Sequence, residues 1–122
     1  MEFTIFVNIN CKKQELINNL KSSLSDCVSE RSSIALKGIH VFVDANENYD
    51  QKLAEDMKYG FIHYKYRLEF LLEKEVNHII FANFILMLFW SHGYQAICAS
   101  DFEEELLNFD NNENRLNIPN KF

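Results

Sequence analysis

Ile62-His63-Tyr64-Lys65-Tyr66-Arg67-Leu68-Glu69-Phe70-Leu71-Leu72 is the stretch that decides the fold class. Apolar or aromatic side chains occupy every even position, and His63, Lys65, Arg67 and Glu69 fill the odd ones between them. Successive side chains of a strand point to opposite faces, so a period of two predicts a long strand with one buried and one wet face. Sheets wetted on one face are characteristically antiparallel. Downstream, eleven of the twelve residues from Ile79 to Trp90 are apolar. That run is shorter than the roughly 20 residues a membrane span needs. It predicts a helix over 73–92, buried on nearly all sides and ended by Gly93 in a left-handed cap. Tyr94–Ala99 is almost wholly apolar and predicts a central strand, and Asp101–Leu107 predicts one or two helical turns with Ser100 as N-cap.

Upstream, Ile39, Val41 and Val43 alternate with His40, Phe42 and Asp44 in another strand, followed by an acidic, exposed connection over 44–58 with room for one helical turn. Residues 2–10 alternate in part, with Phe3, Ile5, Val7 and Ile9 against Thr4, Phe6 and Asn8, and predict the first strand. Leu16, Ile17, Leu20 and Leu24 recur at helical spacing over 11–26, the pattern of a helix packing one stripe against a sheet. Residues 25–37 are polar and serine-rich, a loop with a short strand at 34–36. The predicted order is β-α-β-β-α-β: an α+β, ferredoxin-like antiparallel sheet with two main helices on one face. Residues 1–108 form one domain and 109–122 a loose tail.

The chain has 122 residues, 48% hydrophobic and 25% charged, with a net charge of −6. This composition excludes wholesale disorder. The charge is uneven, because residues 1–37 carry a net +1 and the remainder −7. Two acidic clusters result: Asp44, Glu47, Asp50, Glu55 and Asp56 in the central connection, and Asp101, Glu103, Glu104 and Glu105 after the last strand. If those connections leave neighbouring strands, the clusters converge into one acidic surface that attracts a basic partner and speeds its capture. The rival reading is a solvated face that only maintains solubility.

Motifs of catalysis are missing. No P-loop, GxGxxG, HExxH, CxxC or GxSxG occurs, and three glycines and one proline leave little material for a phosphate-cradling loop. The acids stand in polar runs where they stay hydrated and ionised, unlike a catalytic carboxylate pair. Asp44-Ala-Asn-Glu-Asn-Tyr-Asp50 spaces oxygen ligands like a calcium loop, but Tyr49 stands where such a loop needs glycine. The histidines at 40, 63, 78 and 92 lie too far apart in sequence for two to share a helical turn. Cys11, Cys27 and Cys98 are odd in number and widely spaced, which fits a reducing compartment. The N-terminal residues carry no secretory signal pattern. His63, Lys65 and Arg67 form a small basic stripe, but Tyr64, Tyr66 and Phe70 alternate to the opposite face, so bases find no stacking platform beside it. The reading is a non-enzymatic, cytoplasmic protein without cofactor or metal and without nucleic-acid or membrane partner.

Two stretches resemble a known family. Val43-Asp-Ala-Asn-Glu-Asn-Tyr-Asp50 followed by Gly60-Phe-Ile-His-Tyr-Lys-Tyr-Arg-Leu-Glu69 resembles an Asn-rich acidic turn and strand of small bacterial immunity proteins. Phe89-Trp-Ser-His-Gly-Tyr-Gln-Ala-Ile-Cys-Ala-Ser-Asp-Phe-Glu-Glu-Glu-Leu106 resembles the same family's helix end, apolar strand and acidic turn. The similarity covers roughly residues 38–107 and departs from the family pattern at Lys58, Tyr59, Ser100 and Leu107. The family is that of immunity partners of contact-dependent growth inhibition and other polymorphic toxins. The resemblance implies a cytoplasmic, non-catalytic protein that binds a cognate toxin C-terminal domain, often a nuclease, and covers its active site. Its matched polar positions here are Asn46, Asp50, Glu69, Asp101, Glu103 and Glu105. Combined with the charge pattern, it makes Asp44, Asn46, Glu47, Asp50, Asp101, Glu103 and Glu105 the expected acidic and polar contacts. Tyr59, Phe61 and Phe102 are the expected anchors beside them, with Tyr49 a further candidate. An exposed edge strand offers a second route, β-augmentation by the toxin. The alternative is a small homo-oligomeric ligand-binding or regulatory module with its open sheet face buried between subunits.

Overall fold

The computed structural model describes residues 1–24, 26–56 and 59–106, so the expected tail over 109–122 lies outside the described residues. In chain order the elements are β1 (Glu2–Asn8), α1 (Lys13–Ser23), β2 (Val28–Glu30), β3 (Ser33–Leu36), β4 (Ile39–Ala45), β5 (Tyr66–Leu72), α2 (His78–Ser91) and β6 (Gln95–Ala99). Single 3-10 turns sit at Leu53–Glu55, Gly60–His63 and Glu103–Glu105. The strands form one sheet in the order β2-β3-β4-β5-β1-β6, every pair antiparallel. The fold is therefore α+β with two main helices. The sheet also carries two short strands: β3, which answers to the strand expected at 34–36, and β2, which lies beyond the expected elements.

Register explains the core. Ile5 pairs with Leu68 and Cys98, and Leu68 pairs with Val43, so the buried positions of four strands line up on one face. Those residues join Leu16, Ile17 and Leu20 of α1 and Phe81, Phe84, Ile85 and Phe89 of α2 in a single cluster. Both helices thus cover the same face. The helix expected over 73–92 begins only at His78, where Asn77 caps it by accepting the Ile80 N–H at 3.0 Å; Gly93 closes it at φ +81°, as the sequence predicts.

Three elements differ from expectation. The strand read over 62–72 begins at Tyr66, because Gly60–His63 coils as a 3-10 turn and leaves Ile62 exposed. The strand read as central, β6, lies at a sheet edge; its apolar run buries Ala96 and Cys98 towards α2 while Ile97 faces solvent. The indole N–H of Trp90 donates to the Ala96 carbonyl at 3.0 Å, so an acceptor of that edge strand is already engaged. Within the polar segment read as a loop, the strand expected at 34–36 forms as β3, and the unexpected β2 pairs with it in a hairpin that turns through Arg31 at φ 49°.

The 46–65 connection is compact. Asn46 N–H donates to the Lys65 carbonyl, Asp50 N–H to His63, and Gly60 N–H to Asp56. At Gly60 a Cβ would stand 2.5 Å from the Ala54 carbonyl oxygen, so the two 3-10 turns approach each other only through glycine. Gly60→Ala is expected to cost about 1–3 kcal/mol by overpacking against backbone. Gly93→Ala meets no atom within 4 Å and should cost about 1–2 kcal/mol from its left-handed φ alone. Urea denaturation of both variants checks this; a Gly60→Ala protein as stable as the parent would contradict the packing.

Candidate functional site

The face of the sheet away from the helices holds three cross-strand rows, read from the register. Ser33, Phe42, Glu69, Thr4 and Ala99 form the middle row. Ala35, His40, Leu71 and Glu2 lie on one side of it, and Asp44, Arg67, Phe6 and Ile97 on the other. Phe42, Leu71 and Ile97 are 37%, 41% and 37% exposed, a large share of aromatic and aliphatic surface for side chains in regular strands. The Phe61 ring meets Phe6 edge-on with centroids 5.6 Å apart, so the 46–65 connection folds back over one end of this face. The rest is open and divided into two adjoining hollows that share Phe42 and Glu69. One, of about 580 Å³, is lined by Glu30, Arg31 and Asp44; the other, of about 440 Å³, by Glu2, Leu71 and Asp101.

The basic stripe of the sequence does not form. Arg67 alone of the three lies on this face, and its Nη2 is 3.3 Å from Glu69 Oε1. Its buried Nε has no hydrogen-bond partner among the described residues. His63 Nδ1–H donates to the Asn48 carbonyl at 2.8 Å, and Lys65 Nζ lies 5.6 Å from the centroid of the Tyr66 ring. Tyr66 and Phe70 are buried on the helix side, as the alternation predicts; Tyr64 is buried too, but it precedes β5 and lies outside the core cluster. Phe6 and Phe42, however, place aromatics on the open face. The signal was present: each stands out of phase with Ile5 and Val7, or with Val41 and Val43, in its own strand.

The expected contact residues separate into three groups. Asp44 lies on the open face, and Asp101 lines the second hollow. Glu47, Asp50 and Tyr59 are exposed on the connection, Tyr59 to 61%, and Phe61 is half-buried against Phe6. Asp50 Oδ1 accepts the Lys52 and Leu53 N–H groups at 3.0 Å, while Glu103 Oε1 accepts the Ser100 N–H at 3.0 Å and Glu105 is exposed. Two assignments are corrected. Asn46 is 8% exposed; its amide donates to the Ile62 and Tyr64 carbonyls, both at 2.8 Å, and accepts the Asn48 N–H at 3.1 Å. It holds the connection together rather than meeting a partner. Phe102 is buried, edge-on to Phe3 at 5.4 Å and to His78 at 4.7 Å, so it plugs the core instead of projecting as an anchor.

Nor do the two acidic clusters converge. The connection leaves the sheet beyond Ala45, at the end where Tyr66, Val7 and Ala96 pair, whereas Asp101–Glu105 follows Ala99 at the Thr4 end. They stand at opposite ends of the strands, and the open face with Glu2, Asp44 and Glu69 lies between. Among the described residues, no group of three or more His, Cys, Asp or Glu side chains is placed to hold a metal ion. No helix among them is long and apolar enough to cross a membrane. Burial pushes the Cys98 thiol up to about 11, and burial likewise raises Cys11 and Tyr66, whose hydroxyl donates to the Cys11 carbonyl.

Two outcomes follow from this geometry. Phe102→Ala is expected to destabilise the protein by about 3–5 kcal/mol, as a buried aromatic truncation does, read from urea midpoints; a loss no larger than that of Tyr59→Ala would contradict a core role. In thiol labelling at pH 8, Cys98 should stay unmodified in the folded protein and react only in denaturant, since its thiolate fraction there is on the order of one in a thousand. The folded state favours neutral Cys98, so its contribution to stability is present below the unfolded thiol's value of about 8.5 and declines as pH rises towards 11. Rapid labelling of Cys98 in the native protein would refute this.

Comparison of the chain with protein-family models, with curated protein sequences and with solved structures gives no match in any of the three.

Proposed function

We propose that this chain is a cytoplasmic immunity protein that binds a cognate toxin domain, with a nuclease as the best-fitting class, and neutralises it by covering the active site with an acidic surface. The observation that carries the reading is the placement of uncompensated carboxylates on exposed backbone. Glu2, Asp44 and Asp101 form no ion pair with any described residue, and Glu47, Asp50 and Glu105 stand exposed at the two ends of the sheet. A nuclease must present a basic cleft to phosphates, and a protein carrying fixed carboxylates offers that cleft a substitute for the phosphate backbone. The side-by-side order β4-β5-β1-β6 under two helices also supports the split βαβ reading, extended by the β2–β3 hairpin.

The rival reading, a homo-oligomeric module closed over its open sheet face, draws on the same exposed Phe42 and Leu71. Against it, two copies meeting on that face would set Glu2, Asp44 and Asp101 against their own images, which costs association free energy. Light scattering separates the two, since the immunity reading expects a monomer.

Expression of the chain in bacteria challenged with the toxin domain that co-purifies with it should restore growth. The triple reversal Asp101→Lys, Glu103→Lys, Glu105→Lys should weaken protection without unfolding the protein, as judged by circular dichroism. Capture of no toxin domain from the native host, with the chain eluting as a stable oligomer, would overturn the proposal.

A further inference from the structure

The geometry points to the uncovered part of the open sheet face, centred on Phe42, as the docking surface for a basic protein element carrying an apolar anchor flanked by Lys or Arg. This rests on the immunity reading and deepens it, because it moves the main contact from the two acidic turns to the sheet between them. Phe42 and Leu71 supply apolar surface that regular strands leave in water, 37% and 41% exposed. The two hollows meeting at Phe42 and Glu69 give that surface relief into which side chains fit.

Charge selects the occupant. The hollow beside Leu71 is walled by Glu2, Glu69 and Asp101 with no Lys or Arg in its lining. The hollow beside Asp44 is lined by Glu30, Asp44 and Glu69 against Arg31, and with Arg67 paired to Glu69 the acids there still outnumber the cations by three to two. A nucleic acid brings phosphates against these carboxylates, and a second copy brings the same carboxylates; both raise the electrostatic cost. A Lys or Arg side chain lays its aliphatic stem over Phe42 and Leu71 while its head group reaches the acids, satisfying both features at once. At the other end of the face Phe61 packs on Phe6, so the docking area is centred on the Phe42 end.

The test uses the full chain, isotopically labelled, titrated with a ten-residue peptide of alternating arginine and leucine pairs and followed by amide chemical shifts. Saturable shifts at Phe42, Glu69, Leu71 and Thr4, weakening about tenfold between 50 and 300 mM salt, are expected. The double variant Asp44→Asn, Glu69→Gln should lose at least fivefold in affinity, whereas Glu15→Gln, exposed on α1 on the other side of the sheet, should lose less than twofold. Phe42→Ser checks the apolar anchor, and Leu71→Ser gives the same information if that variant does not fold. Shifts confined to residues 47–56 and 103–105 would overturn the proposal, as would concentration-dependent shifts of the Phe42 face without peptide, which would assign the face to a second copy. Full growth protection by a folded Phe42→Ser, Leu71→Ser protein would also overturn it while leaving the immunity reading intact. A saturating response at Phe42 without any protection would support the docking surface and refute the immunity reading.

Discussion

The sheet buries only one of its faces, and the other features of the molecule follow from that constraint. Phe3, Ile5 and Val7 of β1, Val41 and Val43 of β4, and Tyr66, Leu68, Phe70 and Leu72 of β5 are paired across strands so that all point towards the helices. A slip of one residue in β5 would turn Leu68 and Phe70 into water and carry Arg67 and Glu69 into the core. The desolvation cost of two buried charged groups makes that alternative untenable. Because α1 and α2 occupy one side, no helix among the described residues covers the opposite side, which is open to water or to a partner.

The 46–65 connection acts on that exposed side. Asn46 spends its amide on two carbonyls of the chain returning to β5, and the Asp50 and Asp56 carboxylates cap N–H groups within the connection. The Asn46 bonds satisfy the Ile62 and Tyr64 carbonyls, which lie where a longer β5 would have run, and the two carboxylates satisfy the Lys52, Leu53 and Tyr59 N–H groups. They also carry Phe61 onto Phe6 and thereby shorten the open area. A segment that reads as an acidic loop is in this way a structural wall, with its charge displayed outward at Glu47 and its neighbours.

Strong local patterns were legible in the sequence and their spatial relations were not. The alternation through Leu72, the apolar run of α2 and the Gly93 cap each express a periodicity or a backbone requirement that survives in the fold. β3 answers to the strand expected at 34–36, whereas its partner β2 escaped because it is only three residues long, with Val28 its single apolar side chain. An apolar strand reads as central until its neighbours are known, which is why the edge position of β6 was hidden; Trp90 and α2 cover what a second neighbour would have covered. Asn46 and Phe102 sat inside motifs that resembled a binding surface, yet both are interior residues. Charge along the chain likewise did not show that the two acidic stretches leave opposite ends of the sheet. Phe42 became meaningful only when the register set it beside Glu69 and Thr4.

A basic partner on an acidic, part-apolar sheet face has a thermodynamic signature. Calorimetric titration of the full chain with the toxin domain proposed as its partner, at 50 and 300 mM salt, tests that claim most directly. The account predicts a one-to-one complex whose affinity falls at least tenfold at the higher salt, with a negative heat-capacity change from burial of the Phe42 surface. Binding that is indifferent to salt, or no binding at either concentration, would contradict it.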